Sequence, residues 1–143
     1  MLSQKCRYAI RTVLYLSVEG EKSCPKGGKE ISVTLKIPMA YTGKILQELA
    51  KKDIITSVKG PGGGFYLSEG NLQTPIIKIV EAIDGLSFFE SCGLGLAECS
   101  DERPCPIHHD FKKMRDHLKD VFMNKSIREL AEEIKTNDLI LVR

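Results

Sequence analysis

The hydrophobic pattern of the first 52 residues predicts three helices. Apolar residues recur at three- and four-residue intervals between positions 3 and 18, the period of an amphipathic helix, and they are Cys6, Ile10, Val13 and Leu14. A polar, glycine-containing loop follows at 20–28, and a short helix is expected near 29–36. Pro38 suits the first turn of a third helix, which we expect to reach about Lys52.

The third helix has two different faces. Its apolar stripe consists of Ile45, Leu46 and Leu49. The opposite face carries small, cationic and amide side chains: Ala40, Gly43, Lys44, Gln47 and Lys51. Two short helices joined by a tight turn, the second with a basic and polar outer face, are typical of a helix-turn-helix, although many other soluble helix pairs share this pattern.

A β-hairpin is predicted directly after these helices. Residues 54–58 and 65–67 are rich in β-branched and aromatic side chains, and the glycine-rich turn 59–64 separates them. This turn differs from a phosphate-binding P-loop because no Gly-Lys-Ser/Thr sequence follows and a strand comes next. The glycines either let the backbone approach DNA closely or serve a plain turn that needs positive φ. Their position after a helix-turn-helix favours the wing of a winged helix.

The second half of the chain is expected to begin with a short apolar helix, to lack periodicity at 86–106, and to form a long helix at 107–125. The apolar positions of the long helix follow a heptad spacing, and they are Ile107, Phe111, Met114, Leu118, Val121 and Phe122. This stripe suits a helix that pairs with a second subunit, the alternative being a helix packed on its own domain. Ser126 and Glu129 form a capping box that opens a further helical segment.

The predicted fold is therefore mainly α with a small β-wing. We divide the chain into a winged helix-turn-helix DNA-binding domain at 1–85, a cysteine-rich loop at 86–106, and a dimerisation helix with a C-terminal tail at 107–143.

Composition and charge narrow the class of protein. The 143-residue chain has 42% hydrophobic and 28% charged residues, a globular balance, and its longest uncharged run, 60–68, is too short to span a bilayer. We expect a cytoplasmic protein whose first 18 residues form a helix of the fold rather than a targeting peptide. Residues 1–70 contain 11 Lys and Arg against 6 Asp and Glu, while residues 71–143 contain 10 against 13. This asymmetry predicts that the first half meets a polyanion.

The strongest chemical signal is the set formed by Cys92, Cys99, Cys105 and His108. Three thiolates and an imidazole within 17 residues can surround one metal centre. Structural zinc sites usually have only two to four residues between paired cysteines, so the six- and five-residue gaps here favour an iron–sulfur cluster over zinc.

Other uses of the cysteines stay open. One is a regulator stabilised by a zinc ion that senses nothing, and another is a metal-free sensor in which the three clustered cysteines oxidise to disulfides. A nucleophilic pair of Cys105 and His108 would suit an enzyme, but no oxyanion-hole motif accompanies it, and we predict that the protein is not an enzyme. Cys6 is expected in the core and Cys24 in a loop.

Several motifs resemble those of the Rrf2 family of bacterial transcriptional regulators. They are the opening Met-Leu-Ser-x-Lys-x-x-Tyr-Ala-Ile-Arg, the Ile-Pro-x-x-Tyr at 37–41, the wing sequence at 57–67, and the spaced cysteines, which are similar to those of the iron–sulfur members. The similarity extends to about residue 133. It implies a homodimer with paired winged helices and a long dimerisation helix, whose control of transcription responds to iron–sulfur status, redox state or nitric oxide.

The resemblance also implies a set of cluster ligands. Cys92, Cys99 and Cys105 match ligands of the family, and His108 matches the fourth ligand of one branch. Nitric-oxide-responsive members instead take an acid near position 8, where this chain has Tyr8. A [2Fe–2S] cluster is therefore favoured over a [4Fe–4S] cluster held by three cysteines.

For DNA binding, we expect the helix at 38–52 to lie in the major groove of a pseudo-palindromic operator, with Thr42, Lys44 and Gln47 nearest to bases or phosphates. Lys59 and the glycine tip would reach the minor groove or the backbone, and Arg7 and Lys51 would contact phosphates. The full candidate set is Arg7, Pro38, Ala40, Tyr41, Thr42, Lys44, Gln47, Lys51, Lys59, Gly60, Gly62 and Gly63.

Two departures from the family pattern concern DNA recognition. The usual Arg-Gly of the wing is Lys59-Gly60 here, which keeps the charge but loses the planar guanidinium. A glutamate that reads a base in one branch of the family is replaced by Gly43. The preferred operator is therefore expected to differ from that of this branch.

Overall fold

The computed structural model describes residues 1–142 and contains, within that range, seven α-helices, one 3-10 turn and two β-strands. The helices are α1 (Gln4–Glu19), α2 (Gly28–Leu35), α3 (Met39–Lys51), α4 (Glu69–Leu72), α5 (Ile77–Ile83), α6 (His108–Asn124) and α7 (Ile127–Asn137). Strands β1 (Thr56–Val58) and β2 (Gly64–Tyr66) form an antiparallel pair, and the 3-10 turn covers Ser87–Phe89. The predicted fold class, mainly helical with a small β-wing, is confirmed.

Helix α1 supplies the central face of the core. Ser3 caps its first turn, because the Ser3 side chain accepts a hydrogen bond from the Cys6 amide. The side chains of Ala9, Val13 and Leu16 are buried, and α1 packs against α3, α5 and α7. Cys6 is fully buried as well, which confirms its predicted place in the core.

The turn between α2 and α3 is held by backbone geometry and one hydroxyl. Lys36 ends α2 in the left-handed conformation, with φ of 52°. The Ser32 hydroxyl donates a hydrogen bond to the Ile37 carbonyl at 2.6 Å, and Pro38 stands at the N-cap of α3. The buried face of α3 then packs against α1 and α2, which completes the predicted helix-turn-helix.

The wing is a short hairpin whose tip depends on glycine. Thr56 pairs with Tyr66 and Val58 with Gly64 across the two strands. A side chain at Gly63 is excluded because its Cβ would lie 2.2 Å from the Val58 carbonyl oxygen. The loop before α2 also pairs with β2, through two backbone hydrogen bonds of 2.9 Å between Lys26 and Phe65.

Two short elements of the second half are absent from the sequence-based prediction. Helix α4 begins with a capping box between Ser68 and Asn71, and the 3-10 turn interrupts the region expected to be irregular. Asn71 also donates to the Asp53 carbonyl and accepts from the Thr56 hydroxyl, both at 2.7 Å. It therefore ties the wing to the end of α3.

Helices α6 and α7 pack differently. The predicted capping box of Ser126 and Glu129 is present at the start of α7, whose Ile127 is buried in the same core cluster as α1. The apolar stripe of α6 is only partly covered, because Met114 and Val121 remain 64% and 41% exposed. No helix within residues 1–142 is long and apolar enough to cross a membrane. The division of the chain into three parts at residues 85 and 106 stays a prediction. Helix α7, which follows the second boundary, shares a hydrophobic core with α1.

Candidate nucleic-acid interface and cysteine-rich site

The outer face of α3 is exposed and carries positive charge. Ala40, Lys44, Gln47 and Lys51 recur at three- and four-residue intervals and all face solvent, and Pro38 is exposed at the start of the helix. The space in front of Gly43 is open, with no atom within 4 Å of a built Cβ. Small, amide and cationic side chains on an exposed helix face suit contact with a polyanion such as DNA.

The burial of Thr42 does not fit the prediction that it lies near bases or phosphates. Thr42 is 1% exposed, and its hydroxyl donates a hydrogen bond to the Pro38 carbonyl at 3.2 Å. The reason is helical geometry, because residue 42 stands three and four positions before the buried Ile45 and Leu46 and shares their face.

Tyr41 packs on α1 and is also partly exposed at the start of α3. Its ring packs edge to face on Tyr8 of α1, with 5.6 Å between the ring centroids, yet part of the side chain remains exposed. The contact joins the beginning of α1 to the beginning of α3. Arg7, the residue before Tyr8 on α1, is exposed, as a phosphate contact requires.

The wing tip presents one cation on a glycine-rich backbone. Lys59, Gly60 and Gly62 are exposed, and the two glycines have φ of 92° and 72°, values that side-chain-bearing residues rarely adopt. Gly63 is half-buried beneath them. Within residues 1–142, Lys59 takes part in no ion pair.

The four residues of the cysteine-rich site come together as two pairs. The Sγ atoms of Cys92 and Cys105 lie 3.9 Å apart, and Cys99 Sγ lies 3.5 Å from His108 Nδ1. Cys92 follows the 3-10 turn, while His108 begins α6 and its amide donates to the Cys105 carbonyl at 2.9 Å. Between Met1 and Val142, no group of three or more His, Cys, Asp or Glu side chains is arranged to hold a single metal ion.

Hydrogen-bond donors surround the thiols. The backbone N–H groups of Leu94 and Leu96 lower the pKa of Cys92, since they stabilise its thiolate. The buried Arg115 side chain donates to the carbonyls of Glu90 and Ser91 at 3.2 and 3.0 Å, and its guanidinium interacts electrostatically with Cys99. The arrangement favours anionic sulfur and anchors the loop on α6.

Asp101 connects this site to the next turn of α6. Its carboxylate lies 2.7 Å from His108 Nε2 and accepts hydrogen bonds from the Lys112 ammonium at 2.9 and 2.6 Å. Lys112 and then His108 lower the pKa of Asp101 to about 2. The sequence analysis missed Asp101, Lys112 and Arg115. The i, i+4 spacing of His108 and Lys112 places both side chains on one face of the helix. That spacing alone could not identify Asp101, their common partner, because Asp101 lies in an irregular loop.

Comparison with known proteins agrees with this architecture. A family model for Rrf2, described as an iron-dependent transcriptional regulator, matches residues 2–133. An HTH-type transcriptional regulator of Aquifex aeolicus is 30% identical over 91% of this chain and 90% of its own length. The HTH-type regulator IscR of Vibrio vulnificus is 26% identical over 92% of this chain and 77% of its own length.

A solved structure is similar over nearly the whole length. CymR, the global cysteine regulator of B. subtilis, superposes with a TM-score of 0.69 at 20% identity, covering 93% of this chain and 97% of that one. The similarity to CymR supports the fold alone, whereas the family model and the Aquifex relative show the family of the chain. The helix-turn-helix, the wing and these matches together show that the chain belongs to the Rrf2 family of DNA-binding transcriptional regulators, which are not enzymes.

Proposed function

We propose that the protein is a homodimeric transcriptional regulator whose DNA binding is changed by an iron–sulfur cluster held by Cys92, Cys99, Cys105 and His108. The observation that carries this proposal is the grouping of the four side chains into two close pairs. The description of the matching family as iron-dependent supports the choice of metal.

The spacing within each pair fits one metal atom. Two thiolates bound at about 2.3 Å to a tetrahedral metal lie about 3.8 Å apart, and a thiolate and an imidazole nitrogen lie about 3.5 Å apart. The corresponding distances are 3.9 Å between Cys92 and Cys105 and 3.5 Å between Cys99 and His108. Each pair can therefore serve one metal atom with little movement.

The same grouping favours a [2Fe–2S] cluster. A two-iron cluster takes two protein ligands on each iron, which is the number that each pair supplies. A single zinc ion would need three or four donors around one point, and residues 1–142 contain no such group. A [4Fe–4S] cluster held by the three cysteines would leave His108 without a role.

The surroundings suit an anionic cluster. When bound, the cluster would supply a redox-active, oxygen- and nitric-oxide-sensitive group. The backbone N–H groups of Leu94 and Leu96 lower the pKa of Cys92, and the cationic Arg115 side chain is anchored at the carbonyls of Glu90 and Ser91, which precede Cys92. Such donors stabilise negative charge on sulfur and raise the reduction potential of a cluster.

The segment before Cys92 packs against helices of the predicted DNA-binding half. Phe89, three residues before Cys92, packs with Cys6 of α1 and Val80 of α5. The Ser3 amide donates to Asp84 at the end of α5, at 2.8 Å. Because α1 also packs on the recognition helix α3, a change of order in the loop would alter how α3 is presented to DNA.

The exposed stripe of α6 supports the homodimer. Phe111, Met114, Leu118 and Val121 line a groove of about 1060 Å³ together with Phe88. A heptad stripe of this length suits pairing with a second copy. Two-fold symmetry would bring two recognition helices to a pseudo-palindromic operator, with half-sites about one helical turn apart.

The test begins with protein purified without oxygen. We expect visible charge-transfer bands with two iron and two sulfide per chain, and loss of both in Cys105→Ala but not in the matched control Cys24→Ala, whose cysteine is exposed outside the loop. Operator affinity, measured by fluorescence anisotropy, should differ between loaded and metal-free protein. A colourless wild-type protein with one zinc per chain, or equal affinity with and without the cluster, would overturn the proposal.

A second candidate is a metal-free thiol regulator. The 3.9 Å between the sulfurs of Cys92 and Cys105 is short enough for a disulfide after a small shift. Hydrogen peroxide would oxidise the two thiols to a disulfide and be reduced to two water molecules. Peptide mass spectrometry of peroxide-treated, metal-free protein should then find Cys92 linked to Cys105, with a matching change in operator affinity.

A further inference from the structure

His108 is held from its outer side by a single carboxylate. The ring is 2% exposed, its Nε2 lies 2.7 Å from Asp101 Oδ1, and its Nδ1 lies 3.5 Å from Cys99 Sγ. The two ring nitrogens therefore face different partners, the Asp101 carboxylate on one side and Cys99 on the other.

The chemistry of the carboxylate decides the tautomer of the ring. A carboxylate oxygen accepts hydrogen bonds, so in the 2.7 Å contact the N–H at Nε2 of the neutral imidazole is the donor. Nδ1 then keeps its lone pair, which is the form that binds a metal. Lys112, one helical turn after His108, donates to both oxygens of Asp101 and holds the carboxylate in place against the ring.

We propose that Asp101 is a positioning residue that fixes His108 with its Nδ1 lone pair turned toward the cysteines, with Lys112 as the anchor of the carboxylate. This inference rests on the proposed function, because it concerns how one ligand of the proposed cluster is presented. Within residues 1–142, the hydrogen-bond partners of the Asp101 side chain are His108 and Lys112.

An ordinary surface ion pair does not account for the arrangement. Asp101 and Lys112 alone would form an exposed pair of little energetic value. The buried ring of His108, however, has its outer nitrogen satisfied by this carboxylate, and burial of an imidazole N–H without a partner is unfavourable. By holding Asp101 in place, the ion pair with Lys112 therefore fixes the orientation of the buried His108 ring.

The first test needs no metal. In ¹⁵N NMR spectra of the metal-free full chain, the His108 ring should be protonated at Nε2 in the wild type and in Asp101→Asn, which keeps an acceptor oxygen. Asp101→Ala should give a mixture of tautomers. The matched control is Glu102→Ala, which removes an adjacent exposed acid of the same loop and should leave the ring unchanged. A wild-type ring protonated at Nδ1 would overturn the inference.

The second test uses the full chain reconstituted with ferrous iron and sulfide. Asp101→Ala should weaken iron retention against a chelator by about 10- to 100-fold and shift the electron paramagnetic resonance signal of the reduced cluster, whereas Glu102→Ala should match the wild type. In a His108→Cys background, where no ring needs orienting, Asp101→Ala should have no further effect.

The outcomes separate the two proposals. A wild-type protein that holds a cluster, with Asp101→Ala identical in retention and spectrum, overturns the role of Asp101 and leaves the proposed function intact. A further loss from Asp101→Ala in the His108→Cys background also overturns it, because the effect then bypasses the ring. A wild-type protein that takes up no iron overturns the proposed function, and the ligand role of His108 falls with it.

Discussion

Thr42, His108 and Arg115 are buried polar residues, and each of them affects a different part of the protein. Thr42 bonds to the first turn of its own helix, His108 to Asp101, and Arg115 to the carbonyls that precede Cys92. A buried polar group is costly without a partner, and each of these bonds supplies one. The bonds of Thr42 and Arg115 hold the fold, whereas the bond of His108 leaves its second ring nitrogen facing Cys99.

The burial of Thr42 leads to a prediction about stability. Thr42→Val keeps the branched shape but removes the hydroxyl, so we expect a loss of about 1 kcal/mol in the free energy of unfolding, measured by urea denaturation. Operator preference, measured by binding to a panel of sequences, should not change. The control Thr136→Val lies at an exposed position of α7 and should be neutral. A changed base preference with unchanged stability would return Thr42 to the DNA interface.

At the level of elements, the wing combines a fixed backbone with a single cation. A side chain at position 63 would clash with the Val58 carbonyl, and Gly60 and Gly62 have positive φ. Lys59 is exposed at the start of the turn. The tip can therefore approach the DNA backbone or a groove closely, and its contribution to affinity is expected to be mainly electrostatic.

Lys59→Ala should weaken DNA binding about equally for all sequences. The loss of one phosphate neutralisation should lower the slope of log affinity against log salt concentration by about one. Fluorescence anisotropy at several salt concentrations measures both effects. Lys113→Ala, which removes an exposed lysine of α6, is the control for net charge. An unchanged slope in Lys59→Ala would show that the wing does not touch phosphate.

Local patterns were sufficient to predict most elements. The apolar spacing of α1, α3 and α6 and the capping box of α7 are periodic or local signals, and the structure has all of them. Helix α4 was missed because four residues cannot display a period. The burial of Thr42 was missed because its polarity was given more weight than its position on the buried face of α3.

On the scale of the whole molecule, long-range contacts explain what the sequence could not supply. The spacing of Cys92, Cys99, Cys105 and His108 identified the donors, but their pairing depends on how an irregular loop returns to α6. The roles of Asp101 and Arg115 depend on the same path, since no periodicity relates a loop residue to a helix 7 to 25 positions away.

The exposed stripe on α6 leads to a prediction about how the proposed dimer can be disrupted. Met114 and Val121 are 64% and 41% exposed in one chain and lie along the groove shared with Phe88. Met114→Glu would place like charges near each other across a two-fold axis and add a charge to an apolar contact. We therefore expect a monomer in sedimentation velocity and about 100-fold or more weaker operator binding, because two half-sites are no longer engaged together.

The matched control for this dimer prediction is Lys113→Gln. It changes the net charge by the same amount at an exposed position beside the stripe and should remain dimeric. Circular dichroism should show that Met114→Glu keeps its helices, since Met114 does not belong to the buried core. A Met114→Glu protein that stays dimeric and binds the operator normally would mean that α6 does not form the interface and that its stripe is covered in another way.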